Sequence, residues 1–532
     1  MYLSSLACVL SIIGAGASFA LTTLQSFKLV GVGTDHFVHK FLVRAVRRNR
    51  HRLFDKIPGI LNETHCGALP IYLHWLLSWL KPNGLFWAER LINPIVSSVQ
   101  VLLVAIIVWC ANGEIKKPEM WAGLVACTFA LTPQFFHAFS ARNFGFSARS
   151  PGLLFLTTFL SAVYAASTNG WPAWIGMAVS AWLVLGVSTF AMQAMVIFAL
   201  LLFLLSGSVM PLCGVGLGLL CFIALHPRYS IAYLLSTRTF IVTYAREIAP
   251  IYILVQRFSV WRDLVWDVWI AFRGGPRKGA RYAYENSILI VLLLNPMVPL
   301  ACWAYIGGYL PEESLGSFAG AVATAGALAV VLTSFRATRF LGEPERYAEA
   351  AGPWATIAGV SVLWDGLGML GVFSLLITFL FVDILQLLLS RMLLKHIRGK
   401  QTDYMTAIEI IDRLDLDVRL CSNNEQITKM LMIRDWSFAC CISASNDYCG
   451  MFFTKAFSTY PILRRESLER IVESCRINVC VLDRSLYDSI FTDSPDVLVG
   501  IRKIYESETL RVIALDWSLV VLTTTNDKAL CP

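Results

Sequence analysis

The chain has 532 residues, 56% of them hydrophobic and 15% charged, with a net charge of +8 and a mean hydropathy of +0.62. That composition excludes a disordered chain, and for about three quarters of the length it excludes an ordinary soluble domain. The positive balance is small and sits in a few loops, so it does not indicate a nucleic-acid partner. The 14 cysteines are scattered, several of them within apolar runs where they act as small hydrophobes, and no C-x-x-C pair marks a zinc or redox motif.

Apolar runs at 4–24, 94–112, 120–138, 152–168, 172–187, 190–206, 209–226, 287–309 and 315–334, with one or two more within 353–390, predict about ten or eleven membrane-spanning helices. Continuous runs of this kind argue for helices over a β-barrel, whose strands alternate. The first run reads as a retained span rather than a cleaved signal. It lacks a basic start, and Gly14-Ala15-Gly16-Ala17 gives only a weak cleavage-like pattern in mid-run.

Polar segments separate these runs. The first large loop, 25–93, opens with Thr34-Asp35-His36. From Phe37 to Phe54 it mixes apolar positions with Lys40, Arg44, Arg47, Arg48, Arg50 and Arg52, which predicts an amphipathic helix at the membrane interface. Tyr72-Leu73-His74-Trp75-Leu76-Leu77 suggests a second one. The second large loop, 227–286, has an amphipathic stretch from Tyr229 to Phe258 and then the basic run Arg273 to Arg281, suited either to closing over a phosphate or to attracting anionic headgroups. The third loop is 335–352. If the N-terminus lies on one side, these loops and 139–151 all fall on the other, and His36, His39, His51, His65, His74, His137 and His226, with His396 if there are eleven spans, lie on or next to that side. Such one-sided polarity implies a single working face. The positive-inside rule would make it cytoplasmic, whereas an enzyme handling lipid phosphates needs cations on whichever face it works, so the sequence leaves orientation open.

From about residue 395 the pattern changes to short apolar runs (418–421, 438–442, 477–482, 510–515) alternating with helical patterns (403–413, 465–475, 496–503). This predicts a transmembrane domain over 1–394 and a small soluble α/β domain over 395–532. The latter lacks a Gly-rich turn after a strand, so nucleotide binding is unsupported. Its seven cysteines would be able to pair in an oxidising compartment, with one left over.

Several residues are candidates for chemistry. Asp35 suits a general base, or else it caps the following helix. His36 and His39, spaced i, i+3, would with Asp35 offer ligands to a divalent metal; the alternative is surface histidines at the lipid interface. Arg142 and Arg149 flank Phe144-Gly145-Phe146 and would grip a phosphate or snorkel to headgroups. Glu343, Arg346 and Tyr347 would share one helical face, orienting phosphate or sugar hydroxyls or forming a simple ion pair.

The chain resembles the GT-C superfamily of polytopic membrane glycosyltransferases, especially bacterial mannosyltransferase-like and uncharacterised members. The resemblance rests on the order and spacing of several motifs, each weak alone. These are Gly33-Thr34-Asp35-His36, Arg47 to Leu53 followed by Leu69 to Ser78, Phe144 to Gly152, Phe340 to Tyr347, and the closing stretch Leu468 to Asp483. It implies transfer of a sugar from a polyprenyl-phosphate donor to a glycan, lipid or protein acceptor, on the outer face of a bacterial plasma membrane. It also implies Asp35 as the essential acid, with His36, Arg142, Arg149, Glu343, Arg346 and Tyr347 binding substrate or phosphate. Many members carry two acids where this chain has Asp35-His36. Two other readings stay open. One is a flippase or transporter of lipid-linked oligosaccharides, which would place ionisable groups within spans. Here the spans are nearly free of charge, Asp365 and Asp383 excepted. The other is a non-catalytic membrane assembly partner, which should tolerate Asp35→Asn.

Overall fold

The computed structural model describes residues 2–29, 34–53, 57, 59–61, 69–111, 118–136, 145–166, 170–248, 251, 264–266, 268–269, 273, 286–312, 314–414, 417–440, 453–459, 462–483, 501–507 and 509–515; within these, the side chains of 2–7, 27–29, 34–35, 118–119, 336, 339–340, 389–402, 453, 459 and 501–503 lie outside the description. The described part is mostly helical, with a small mixed sheet near its C-terminal end.

The long helices form where the apolar runs are: α1 (Tyr2–Leu29), α4 (Pro82–Cys110), α5 (Pro118–Ala130), α6 (Arg149–Ala166), α7 (Trp171–Val187), α8 (Thr189–Ser206), α9 (Met210–Leu225), α11 (Ser287–Leu294), α12 (Met297–Ile306), α13 (Leu315–Thr333) and α14 (Glu345–Asp412). Between them lie α2 (Thr34–Arg48), α3 (Tyr72–Ser78) and α10 (Pro227–Thr243). Among the described residues, five helices are long and apolar enough to cross a membrane, or six if the α11–α12 pair, bent by 84°, is one broken span. The stretches around α5, α7 and α9 are apolar but shorter. Polar side chains define several ends. Ser188 accepts from the Ala191 N–H ahead of α8, Asn286 accepts at the start of α11, and Ser314 accepts at the start of α13. Glycines let helices touch: a Cβ at Gly218 would lie 2.3 Å from that of Ala181 on α7, and one at Gly326 would lie 2.4 Å from that of Ala351 on α14.

α14 is two helices joined at Gly368, whose φ of 63° and ψ of −159° are not helical. Both arms return to one 3₁₀ turn, Pro133–Phe136. The Gln134 amide donates to the Glu345 carbonyl at 2.6 Å, and Gln386 donates to the Pro133 carbonyl at 2.9 Å. The chain therefore doubles back at Gly368. The second arm runs without interruption past residue 394 to Asp412, across the domain boundary that composition suggests.

The C-terminal sheet has the order β2–β1–β5–β7–β6. Strands β1 (Arg419–Ser422), β2 (Ser437–Phe438) and β5 (Val479–Asp483) are parallel, while β7 (Leu510–Leu515) runs antiparallel to β5 and to β6 (Ile501–Glu506). A separate pair, β3 (Phe457–Thr459) and β4 (Ile462–Leu463), is antiparallel. Helix α15 (Glu425–Leu431) makes the β1-to-β2 crossover that parallel pairing needs, and α16 (Arg465–Ser474) precedes β5. Residues 501–503 form strand rather than the end of the expected 496–503 helix, because β6 finds a full antiparallel partner in β7. Two cysteines of this region, Cys421 and Cys480, stand side by side on β1 and β5, Sγ to Sγ 3.7 Å.

This sheet region is clamped to the first loop. Leu61 N–H donates to the Phe438 carbonyl and Phe438 N–H to the Gly59 carbonyl, each at 2.8 Å, so the loop extends the sheet beyond β2. α2 does not lie with its apolar face on a lipid surface. Val38, Phe41, Leu42, Ala45 and Val46 join the main protein core, and Val43 packs with Leu73, Leu77 and Phe146. On its outer face the Arg44 guanidinium donates to the carbonyls of Met432, Ile433 and Arg434 just after α15 and pairs with Asp435 at 3.1 Å. Arg48 meets the same carboxylate at 2.9 Å. The basic residues of this helix thus bind protein carbonyls and a carboxylate, which share the acceptor chemistry of lipid headgroups.

Candidate functional site

The first turn of α2 carries Thr34, Asp35 and His36. The Asp35 side chain and all of Arg142 lie outside the described residues. His36 is 1% exposed and fully engaged. Its Nδ1 accepts the Phe146 N–H at 3.0 Å, and its Nε2 lies 2.8 Å from Glu89 Oε1 on α4. An N–H donor on Nδ1 requires that nitrogen to be bare, so the proton is on Nε2 and points at Glu89. Burial lowers the His36 pKa, outweighing the opposite pull of Glu89. The imidazole is therefore a neutral connector.

Glu89, 6% exposed, is the hub of this corner. Besides His36 it receives the Lys40 ammonium at 3.0 Å, with Arg90 at 4.0 Å. Lys40 is one turn after His36 on α2, so a single carboxylate ties two turns of α2 to α4. One turn further along α4, Asn93 donates to the Gly145 carbonyl at 2.8 Å. Gly145 is forced to be glycine, since a Cβ there would lie 2.6 Å from His36 Nδ1. Phe146 stacks on His36 at 5.8 Å.

Four residues after Gly145 comes Arg149, the first residue of α6. A stretch of that length spans at most about 14 Å, so it links the His36 corner closely to a second cluster. There the Arg149 guanidinium lies 5.7 Å from the centre of the Phe190 ring, and Phe190 packs against Tyr347 at 5.3 Å. Arg149 also interacts electrostatically with Glu345, whose Oε2 accepts from Ser287 at 2.6 Å.

Glu343 and Arg346 form an ion pair, each about one quarter exposed. Tyr347 does not share their outlook. It is fully buried and donates its hydroxyl to the Leu341 carbonyl at 2.7 Å. The reason is local: the helix starts only at Glu345, after Pro344, so Glu343 is not on a helical face, and the Tyr347 ring turns inward onto Phe190. His39 also departs from His36. Its Nδ1 lies 2.7 Å from Nε2 of buried His74, and the two rings stack at 5.0 Å. A metal at His36 would have to displace Glu89 or the Phe146 N–H, and among the described residues no group of three or more His, Cys, Asp or Glu gathers to hold one.

Four sequence segments thus meet in one connected region: α2 at His36, α4 at Glu89, the 145–149 bridge, and the 343–347 corner. Chemically it offers two arginines at its edge, each interacting with a carboxylate, Arg149 with Glu345 and Arg346 with Glu343. A phosphate would bind by sharing or exchanging those partners. Glu89 and Asn93 were not singled out by motif, Lys40 entered only as a basic position of the amphipathic helix, and Gly145 only as part of the Phe144–Gly152 stretch. The signal available was a lone carboxylate at the head of a long apolar helix.

No family model matches the chain, and no curated protein does. Among solved structures it is similar to the oligosaccharyltransferase of Archaeoglobus fulgidus, a crystal structure tethered through a disulfide to an acceptor peptide containing the NVT sequon. The match is 11% identical, covers 96% of this chain and 75% of that one, and has a TM-score of 0.43. At that similarity no residue of one chain can be set against a residue of the other.

Proposed function

We propose that this protein is a multi-pass membrane glycosyltransferase of the GT-C type, moving a sugar from a polyprenyl-phosphate-linked donor to a glycan, lipid or protein acceptor. Asp35 takes the acceptor proton or holds a metal, and Arg142, Arg149 and Arg346 receive the donor phosphate. His36 and Tyr347 serve from behind, His36 fixing the turn that carries Asp35 and Tyr347 fixing the 341–347 corner. The working face is the side bearing the 25–93 loop, placed outside the cell.

The observation that supports this reading most is convergence. Segments more than 300 positions apart, chosen from sequence for phosphate and proton chemistry, are linked through His36–Phe146 and then Arg149–Phe190–Tyr347 within a short stretch of chain. Groups that act on one reacting centre must converge on it.

The test is sugar transfer from synthetic polyprenyl-phosphate donors by the purified full chain. Asp35→Asn should lose about 10²-fold or more, as expected for a removed general base, while its α2 helix still folds. Transfer that survives Asp35→Asn undiminished removes Asp35 from the reaction, and no transfer from any such donor by the wild type counts against the enzyme reading itself.

A further inference from the structure

The 3₁₀ turn Pro133–Phe136 is held from two sides by glutamine amides. Gln386 on α14 donates to the Pro133 carbonyl and Gln25 on α1 donates to the Phe136 carbonyl, both at 2.9 Å. With each nitrogen committed to the turn, each amide oxygen is left beside it. Neither oxygen has a hydrogen-bond partner among the described residues. Asp383 lies one turn before Gln386, on the inward stripe of α14 that also includes Val372 and Phe379, while Leu380, Phe381, Ile384 and Leu385 face outward. Both Asp383 carboxylate oxygens also lack a partner among the described residues. The three side chains are closed off, Asp383 at 0%, Gln25 at 1% and Gln386 at 5% exposure.

Four acceptor oxygens therefore sit in the protein interior on two candidate membrane spans, and no donor among the described residues answers them. An isolated carboxylate in such a place is costly, and native proteins rarely leave one without a partner or a task. A bridging water would satisfy the amide oxygens but would not balance the charge. We propose that Asp383, Gln386 and Gln25 bind one monovalent alkali cation against the 133–136 turn. All the donors are hard oxygens, the ligand type that alkali and alkaline-earth ions prefer. A single carboxylate balances a single positive charge, and a divalent ion would leave a net charge buried. The bound ion would tighten the turn whose Gln134 also holds Glu345 and Asn295, beneath the 343–347 corner. The site stands independently of the sugar-transfer reading, because its test needs no substrate.

The test is thermal unfolding of the full chain in detergent at fixed ionic strength, with sodium or potassium chloride replacing choline chloride. Binding to the native state alone raises the midpoint saturably. The expected result is a rise of a few degrees with sodium or potassium, the stronger of the two naming the ion, and no rise in Asp383→Asn. Identical midpoints in all three salts overturn the proposal, as does a rise that Asp383→Asn retains. A midpoint that follows pH but not the alkali ion, and loses that dependence in Asp383→Asn, assigns the site to a proton and overturns it too. If Asp383→Asn does not fold, binding of radioactive sodium and rubidium to the wild type decides. One displaceable ion per chain, weakened severalfold in Gln386→Leu, supports the site, and no saturable binding refutes it.

Discussion

Glu89 and Asp383 are both buried carboxylates on long apolar helices, and they are treated in opposite ways. Glu89 is surrounded by donors: the His36 N–H, the Lys40 ammonium and, further off, Arg90. Asp383 has no hydrogen-bond partner among the described residues, and neither do the oxygens of Gln386, one turn further along the helix, and of Gln25, whose amide nitrogens both hold the 133–136 turn. The first arrangement is closed, with its charge used to join α2 to α4. The second is open to a positive guest. The contrast shows that a carboxylate in an apolar span carries no fixed meaning, and that the donors around it decide whether it acts as a strut or a site.

Removing each acid in turn in alkali-free buffer separates the two. Glu89→Leu strands the Lys40 ammonium and deprives His36 of its acceptor, and should cost about 3 kcal/mol or more of stability, read as a large drop in the unfolding midpoint. Asp383→Leu should go the other way, neutral to stabilising, since it replaces a bare carboxylate by an apolar group of similar shape. A destabilisation by Asp383→Leu as large as that of Glu89→Leu would abolish the distinction.

Within the Glu89 corner, Gly145 gives a finer probe. Gly145→Ala places a methyl against His36 and should cost about 1–3 kcal/mol, breaking the hydrogen bond from the Phe146 N–H to His36 Nδ1. Hydrogen exchange at Phe146 reads this directly. A midpoint unchanged by Gly145→Ala would mean that His36 does not pack there.

The pH dependence follows from the imidazoles. Burial pushes His36 below its ordinary 6.5 and His74 well below it. Above 6.5 both states are neutral at these positions and stability is flat on their account. As pH falls below 6.5 the unfolded chain takes up protons that the folded chain resists, so stability falls toward the lowered folded values, by roughly 1.4 kcal/mol per pH unit for each histidine. Unfolding midpoints between pH 7.5 and 5 check this, and His36→Gln should shallow the slope. A midpoint that rises on acidification contradicts the neutral assignment.

The smallest effect is expected at Asp435. It is more than half exposed, so Asp435→Ala should change stability by less than about 1 kcal/mol despite its two arginine partners. Arg44 retains three backbone carbonyls after that change, which keeps the C-terminal sheet on α2.

Much of the fold could be read from the chain because apolar length speaks for itself. A helix stands at each expected run, and β7 coincides with Leu510–Leu515. Where the sequence misled, the cause was a partner it does not display. The α2 arginines look like headgroup ligands until the carbonyls of 432–434 arrive from nearly 400 residues away. Residues 501–503 look helical until β7 lies beside them. The expected ten or eleven spans become five or six helices long enough to cross a membrane among the described residues, because the apolar helices around α5, α7 and α9 have 17 residues or fewer and the α11–α12 run is bent by 84°. At the site, His36 and Arg149 were legible because charge and imidazole are rare in this composition. Glu89 was hidden by the apolar helix around it, and Gly145 by the fact that a glycine announces room without saying for what.

Donor phosphate meeting this corner is the central claim, and a structure of the full chain with a polyprenyl phosphate bound tests it most directly. The prediction is a phosphate within hydrogen-bonding reach of Arg149 or Arg346, with the Asp35 carboxylate facing the phosphate-bearing end of the lipid. A phosphate held elsewhere, with Arg149 still on Glu345 and Asp35 turned away, would contradict it.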